Sequence, residues 1–355
     1  MKKRMIGCLL AGLLSGVPAL GVHRADTLDV LFWNLENFFD YIDRGTSASD
    51  AEFSGRGLRH WSKKRFLIKC NAVAKTLLWT AGQTGRMPDV LAVAEVENRF
   101  VLKQLLKNTA LRKEPWGIAH YDSPDHRGID VGLLWRTDRW DTVCTRACHV
   151  FGPDGSVLPT RDILLVQLQR RAVPDSAPAS SAPLGGSAPS ADRWAILVNH
   201  HPSKYGGASS AWRREAAVDR LRQLCDSLAA AGWDRIIATG DFNDTADAPL
   251  FHRLDGLQNL ALPLAARGEG TIRFNGRWEL IDLFFLSVTT PAPAARMTIL
   301  HPPFLTERDN THSGEKPRRT YIGPRYNGGV SDHRPILLRL CYPSTALARE
   351  GRRSG

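Results

Sequence analysis

Eight apolar segments of strand length recur along this chain, and the strings around six of them each place a carboxylate, an amide or an imidazole at or beside a strand end. The runs are Leu28–Asn34, Val90–Glu95, Ile129–Arg136, Ile163–Gln169, Trp194–His200, Arg235–Asp241, Leu280–Ser287 and Arg334–Cys341. VLFWN closes on Asn34, VLAVAE on Glu95, AILVNH on His200, and RIIATGDFN on Asp241 and Asn243. ELID puts Asp282 at the start of a strand, and GGVSDHRP puts Asp332 and His333 just before the last one. A polar group at a buried strand end costs free energy unless it is paired or bound. For any one position a satisfied hydrogen bond is the ordinary explanation. Six such positions together point to strand ends converging on one rim, where layered α/β folds place their sites.

Near-continuous apolar strands suggest sheets covered on both faces. Helical spacing appears at Phe66, Leu67, Cys70, Val73, Ala74 and Leu77, and again from Trp212 to Leu228. Some strand pairs have a helix between them and others only turns, so an α/β or α+β layered sandwich is expected. With 355 residues, 43% of them hydrophobic and 23% charged, the chain can build a sizeable core. Collagen, coiled coil, disulfide miniprotein and multi-span membrane protein are excluded.

The first 21 residues read as an export signal rather than fold. Lys2, Lys3 and Arg4 precede an apolar stretch broken by Gly7, Gly12, Gly16 and Pro18. That is a poor membrane span but an ordinary signal peptide, with cleavage near Gly21. The protein is therefore expected to be periplasmic or secreted, with no integral membrane segment after signal removal. A lipid anchor at Cys8 is disfavoured, because little of the apolar stretch precedes it. Cleavage removes Lys2, Lys3 and Arg4 and brings the formal charge from +11 to +8. A basic surface favours polyanionic partners. Of the six cysteines none forms a CxxC pair, so no zinc ribbon or thioredoxin-type motif is present. Cys144 and Cys148 are either a bridge across a turn or free thiols. Residues 172–192 are Pro/Ser/Ala/Gly-rich and read as a disordered tip between paired strands, with a domain linker as the alternative. Residues 343–355 form a basic tail.

The donor set specifies the chemistry. Carboxylates and amide oxygens without thiols suit a hard cation, Mg²⁺ or Mn²⁺, with Ca²⁺ as an alternative. Histidines beside carboxylates neutralise phosphoryl oxygens or move protons. Phosphodiester hydrolysis needs an activated water, an in-line path and charge stabilisation on the non-bridging oxygens.

The strings NLEN, AEVEN, GIDVGLLW, VNHHPSKYGG, GDFND, LID and GGVSDHRP, in this order, resemble the endonuclease/exonuclease/phosphatase superfamily. Pancreatic-type deoxyribonucleases, sphingomyelinases and inositol-polyphosphate phosphatases belong to it, and the likeness is greatest to an exported bacterial nuclease branch. The resemblance runs from about Leu28 to Cys341. It implies a deoxyribonuclease I-like fold, a four-layer α/β-β/α sandwich of two mixed β-sheets, as one catalytic domain over 28–342. It also implies metal at Asn34 and Glu95, with Glu95 the principal ligand. His200, rather than its neighbour His201, would contact the scissile phosphate. Asp241 would orient or deprotonate the attacking water, and Asn243 would hold phosphate or water. Asp282 would pair with a histidine or act as an additional acid. Asp332 would orient His333, and His333 would hold or protonate phosphate. Arg127, Arg161 and Lys204 are weaker phosphate contacts, each weighed against a solvated charge.

Glu36 is read as either a metal-side residue or a solvated turn, and Glu97 as a helix start. Asp130 is a candidate to position Arg127, and Pro317–Tyr321 a candidate polyanion contact. Trp33, Trp61, Trp135, Trp194, Trp212 and Trp278 read as core. The expected activity is a metal-dependent phosphodiesterase acting on nucleic acid, DNA in preference to RNA, with no stable protein partner. The alternatives are a phosphatase or phospholipid phosphodiesterase of the same superfamily and, below these, a non-catalytic polyanion-binding protein.

Overall fold

The computed structural model describes residues 26–171, 192–204, 207–288 and 294–342. The expected signal peptide, nearly all of the Pro/Ser/Ala-rich stretch and the basic tail lie outside them. Within them, two six-stranded mixed sheets pack face to face. The first sheet takes β1 (Asp26–Phe38), β2 (Val90–Val96), β3 (Trp116–His120) and β4 (Asp130–Arg136). The second takes β5 (Trp140–Cys148), β6 (Ile163–Arg170), β7 (Arg193–His200), β8 (Ile236–Asp241), β9 (Leu257–Asn259) and β12 (Asp282–Ser287). Late in the chain, β13 (Ala294–Ile299) and β18 (Ile336–Tyr342) return to the first sheet. The orders are β13-β18-β1-β2-β4-β3 and β5-β6-β7-β8-β12-β9. Short hairpins β10/β11 (Ile272–Phe274, Arg277–Glu279), β14/β15 (Thr306–Arg308, Glu315–Pro317) and β16/β17 (Tyr321–Ile322, Arg325–Tyr326) decorate the loops.

Period-two alternation divides β1 between two cores. Val30 and Phe32 face inward and share one continuous core with Ala92, Leu133, strands β6 to β8 and a long helix of the second half. Leu31, Trp33 and Leu35 face outward. Five α-helices are described: α1 (Ala48–Glu52), α2 (Lys63–Thr84), α3 (Arg99–Lys107), α4 (Ala211–Ala230) and α5 (Leu262–Ala265). On the outer face of the first sheet, α2 lays Phe66, Cys70, Val73 and Leu77 beside α3, which contributes Val101, Leu102 and Leu105. On the far side α4 buries Ala217, Val218, Leu221, Leu224 and Leu228. The layers are thus helix, sheet, sheet, helix, the expected four-layer sandwich. None of the helices among the described residues is long and apolar enough to cross a membrane.

Side-chain and polar signals set the element ends. Ser62 caps α2 through Arg65 N–H, and Asn98 caps α3 through Val101 N–H. Gly85 closes α2 at φ 79°, a left-handed turn that suits glycine. Cys144 and Cys148 both lie on β5, and the five cysteines from Cys70 onward are free thiols. Strands β6 and β7 pair antiparallel on either side of the Pro/Ser/Ala-rich stretch. Most of the named tryptophans are core, but Trp212 is 39% exposed and Trp278 lies half-buried under Arg334.

Candidate active site

Strand register alone brings three of the expected residues into a row. In the second sheet His200 pairs with Asp241 in parallel register, and Asp241 pairs with Asp282 across the antiparallel neighbour. The close approach of β7 and β8 requires glycine before Asp241. A Cβ on Gly240 would stand 2.1 Å from the Asn199 carbonyl oxygen, at a φ of 155°. From the first sheet, Asn34 continues the inward face of Val30 and Phe32, and its Nδ2 donates to Asp241 Oδ2 at 2.9 Å. Its Oδ1 accepts from Glu36 N–H at 3.0 Å.

Glu95 reaches the same rim through an irregularity. The β2–β4 register shifts between Ala94 and Val96. Val93 and Val96 consequently both face the outer core, while Ala94 faces inward. Glu95 is the extra residue, at φ 59°, and the bulge re-aims its carboxylate, a device common beside active sites. Oε2 accepts from Asn37 N–H at 2.7 Å, and Oε1 stands 4.0 Å from His200 Nε2. Among the described residues, four of the six non-glycine positions with positive φ are Glu36, Asn37, Glu95 and Asn243. Each such position costs on the order of 1–3 kcal/mol, so backbone strain concentrates at this rim.

Asp241 is the centre of the cluster. Oδ1 accepts from Asn243 N–H at 2.9 Å. Around Oδ2 lie Asn34 Nδ2, His200 Nε2 at 3.7 Å and His333 Nε2 at 3.8 Å. Asn243 Nδ2 donates to the His201 carbonyl. Burial pushes Asp241 up to about 7; His333 pulls against this and the Asp282 charge adds to it. His200 is held well below the usual imidazole range, first by burial and then by Arg161 and Arg127. His333 moves the opposite way. Burial alone would lower it, but the Asp282 carboxylate, 2.8 Å from Nδ1, raises it well above the ordinary value. The rim therefore holds one neutral and one cationic imidazole on either side of one carboxylate. Opposed shifts of this kind separate acid and base roles.

Two sequence expectations need correcting. The carboxylate on His333 is that of Asp282 rather than Asp332. Asp332 is one-third exposed, 3.9 Å from Nε2, and bound to Arg319 at 3.1 Å. Neighbours in sequence on an extended segment point apart, whereas the strand register brings Asp282 underneath. Arg161 is not free for phosphate. It is buried, and all three guanidinium nitrogens are engaged, on the carbonyls of His200 and His201 and on Asp125. It fixes the backbone that carries His200. The other weak contacts are accessible. Arg127 is 45% exposed, bonded to Asn37 Oδ1 at 2.6 Å and 3.5 Å from Glu95. Lys204 is exposed and pairs with Asp244. His201 turns away from the cluster and packs its ring on Phe242.

Several supporting residues had little or no sequence signal. Ser331 Oγ donates to the Asn34 carbonyl and accepts from His333 N–H. The Trp33 indole donates to the His333 carbonyl. Together they clamp the SDH turn to the end of β1. Glu36 is buried, accepting from Arg319 and from Thr320 N–H. Lys69, on the apolar stripe of α2, donates to the Glu36 carbonyl and to Thr320 Oγ1. Burial pushes Glu36 up to about 7 and Lys69 down to about 8. Arg319, in the stretch singled out as a polyanion contact, is half-exposed between Glu36 and Asp332. Glu97 accepts from Asp40 N–H, and Asp130 serves Ser123 rather than Arg127.

The donors suit a divalent cation. Asp282 Oδ1 is buried without a hydrogen-bond partner. Asp241 and Asp282 carry carboxylate oxygens within 4.8 Å of each other, and Glu95 adds a third carboxylate. Oxygen-rich sites of this kind suit hard ions.

The family model described as "Endonuclease/Exonuclease/phosphatase family" matches residues 29–172 and 186–341. Comparison with curated proteins gives no match. Among solved structures, an endonuclease/exonuclease/phosphatase family protein from Bacteroides thetaiotaomicron is similar with a TM-score of 0.52 at 16% identity, covering 90% of this chain and 99% of that one. D. rerio TDP2 complexed with single strand DNA product gives 0.51 at 12% identity, covering 88% and 98%. The Bacteroides thetaiotaomicron mannosyl-6-phosphatase Bt3783 gives 0.50 at 16%, covering 88% and 98%. At these identities the likeness is one of fold.

Proposed function

The chain belongs to the endonuclease/exonuclease/phosphatase family, whose members are hydrolases acting on phosphate esters, and from that premise we propose that it is an exported, Mg²⁺-dependent endonuclease cleaving nucleic-acid phosphodiester bonds. The observation that carries the hydrolytic reading is the meeting of Asn34, Glu95, His200, Asp241 and the Asp282–His333 pair at one rim. The polymeric, anionic substrate is supported by the net charge, +8 once Lys2, Lys3 and Arg4 leave with the signal, and by Arg127, Arg319 and Lys204 around the rim. DNA is preferred to RNA as the substrate. TDP2 was solved with single-stranded DNA, and the mannosyl-6-phosphatase is named for a phosphomonoester.

In this mechanism Glu95 and Asn34 would hold the cation, and the Asp241 and Asp282 carboxylates would add negative charge to its site. Bound there, the cation would offset charge on the phosphoryl oxygens. Asp241 takes the proton of the attacking water, held in orientation by Asn34 Nδ2 and Asn243 N–H. His200, neutral at physiological pH, donates a hydrogen bond to a non-bridging oxygen. His333, cationic because of Asp282, binds the other or protonates the leaving oxygen. Arg161 keeps His200 in place through its carbonyl.

Plasmid DNA incubated with the purified protein and Mg²⁺ is expected to be nicked and then fragmented, and a chelator is expected to stop this. Intact plasmid under several divalent ions, with turnover of simple phosphomonoesters, would instead assign the phosphatase reading. Lipid vesicles cleaved in place of both would assign a phospholipid phosphodiesterase.

The acid–base assignment has its own test. Asp282→Asn removes the charge that holds His333 in its imidazolium form, leaving burial unopposed by its strongest counterweight. The His333 pKa then falls, and the imidazolium is lost at lower pH. The alkaline limb of kcat/KM against pH is expected to move down by about one pH unit or more. An alkaline limb that stays in place would remove His333 from the ionising machinery.

A further inference from the structure

A second group of ligand-type side chains lies along the same rim of the first sheet, beyond the active site. His120 is the last residue of β3 and Asp130 the first of β4. His120 and Asp130 are buried, and Asp122 is exposed. The three offer one ligand atom each within 4.8 Å of one another. The His120 side chain is 1% exposed, yet its Nε2 has no hydrogen-bond partner among the described residues. It faces Asp130 Oδ2 at 3.6 Å, too far for a hydrogen bond. A buried imidazole nitrogen aimed at a carboxylate it does not bond needs an explanation. Two ligands about 2.0–2.1 Å from a tetrahedral ion stand roughly 3.4 Å apart, close to the separation seen here. Asp130 Oδ1 is fixed by the Ser123 N–H at 3.0 Å and by the Ser123 hydroxyl, leaving Oδ2 free to bind.

We propose that His120, Asp130 and Asp122 form a second metal site, taking a divalent transition-metal ion through one imidazole and two carboxylates. Imidazole with carboxylate suits such ions better than Mg²⁺. The local electrostatics agree. The adjoining cavity, about 680 Å³, is lined by Glu97, Asp122, Asp125 and Asp130 against Arg44 and Arg99. Its acid groups outnumber its cations. Arg99 is turned away onto the Ile118 carbonyl.

The site lies at the neck of the loop from Tyr121 to Ile129. That loop carries Asp125, which pairs with Arg161, and Arg127, which reaches Asn37 and Glu95. An ion joining the end of β3 to the start of β4 would staple the loop closed and hold Arg127 over the active site.

Zn²⁺ alone, added to chelator-stripped full-length protein, is the probe. The parent is expected to bind one more Zn²⁺ by titration calorimetry than His120→Gln. Asp122→Ala, altered at an exposed side chain, is expected to bind that ion about tenfold more weakly with an unchanged circular dichroism spectrum. A local readout accompanies this: Zn²⁺ slows tryptic cutting after Arg127 in the parent and not in His120→Gln. If His120→Gln does not fold, Asp122→Ala decides. Equal Zn²⁺ affinity and equal protection at Arg127 in the parent and Asp122→Ala overturn the proposal. These readouts do not depend on catalysis, so they stand whatever the substrate proves to be.

Discussion

Replacing Asp241 by asparagine is expected to lower kcat about 10²–10⁴-fold, the range lost with a positioned general base. The change keeps the side-chain shape. Its oxygen can still accept from one of Asn34 Nδ2 and Asn243 N–H, while its amide nitrogen faces the other donor, which loses its acceptor. What disappears is the proton acceptor. Burial holds the parent carboxyl near 7, so the parent rate should rise with pH as that group ionises. A bound cation moves this limb lower. The asparagine variant should lack the limb altogether. Single-turnover cleavage across pH, with circular dichroism as the control for folding, reads both effects. A variant within about threefold of the parent would take the base role away from Asp241.

Glu95→Gln should fail differently. Its carboxylate is oriented by Asn37 N–H and by the bulge in β2, features that glutamine retains. The lost charge weakens the hold on a divalent ion. Turnover at a fixed, sub-saturating Mg²⁺ concentration is expected to fall about 10²-fold or more, and part of it should return as Mg²⁺ is raised. The Asp241 variant should show no such recovery. Equal Mg²⁺ dependence in Glu95→Gln and the parent would remove Glu95 from the metal site.

The rim was legible in the sequence because burial makes a polar strand end conspicuous. VLAVAE, AILVNH and RIIATGD each stay apolar until the strand reaches the cleft, and all three residues meet there. Among the strands of the two large sheets, β3, β5, β9 and β13 escaped notice. β5 is exposed through most of its middle and shows no continuous apolar run, β9 has three residues, and β3 and β13 are edge strands of the first sheet. Partner choice was less legible than position. Asp332 and Asp282 were equally good carboxylates on paper; only the register of β8 with β12 decides which one lies beneath His333. Lys69 gave no useful signal. A lysine three residues after Phe66 reads as a helix surface charge until the fold buries it against the Glu36 carbonyl. Arg161 was noticed for its charge, yet its work is to hold two backbone carbonyls. Such contacts depend on three-dimensional proximity, which residue type does not encode.

Strand β18 occupies an interior position of the first sheet, between β13 and β1, and His333 precedes it by three residues. Asp282 and His333 are 51 positions apart. During synthesis β1 emerges first and must wait for nearly the whole chain before it gains its antiparallel neighbour. Until then the imidazolium partner of Asp282 does not exist and the cleft stays open on one side. On the nuclease reading, an unfinished chain lacks both His333 and the strand that closes the cleft, so turnover begins only when the last strand is in place.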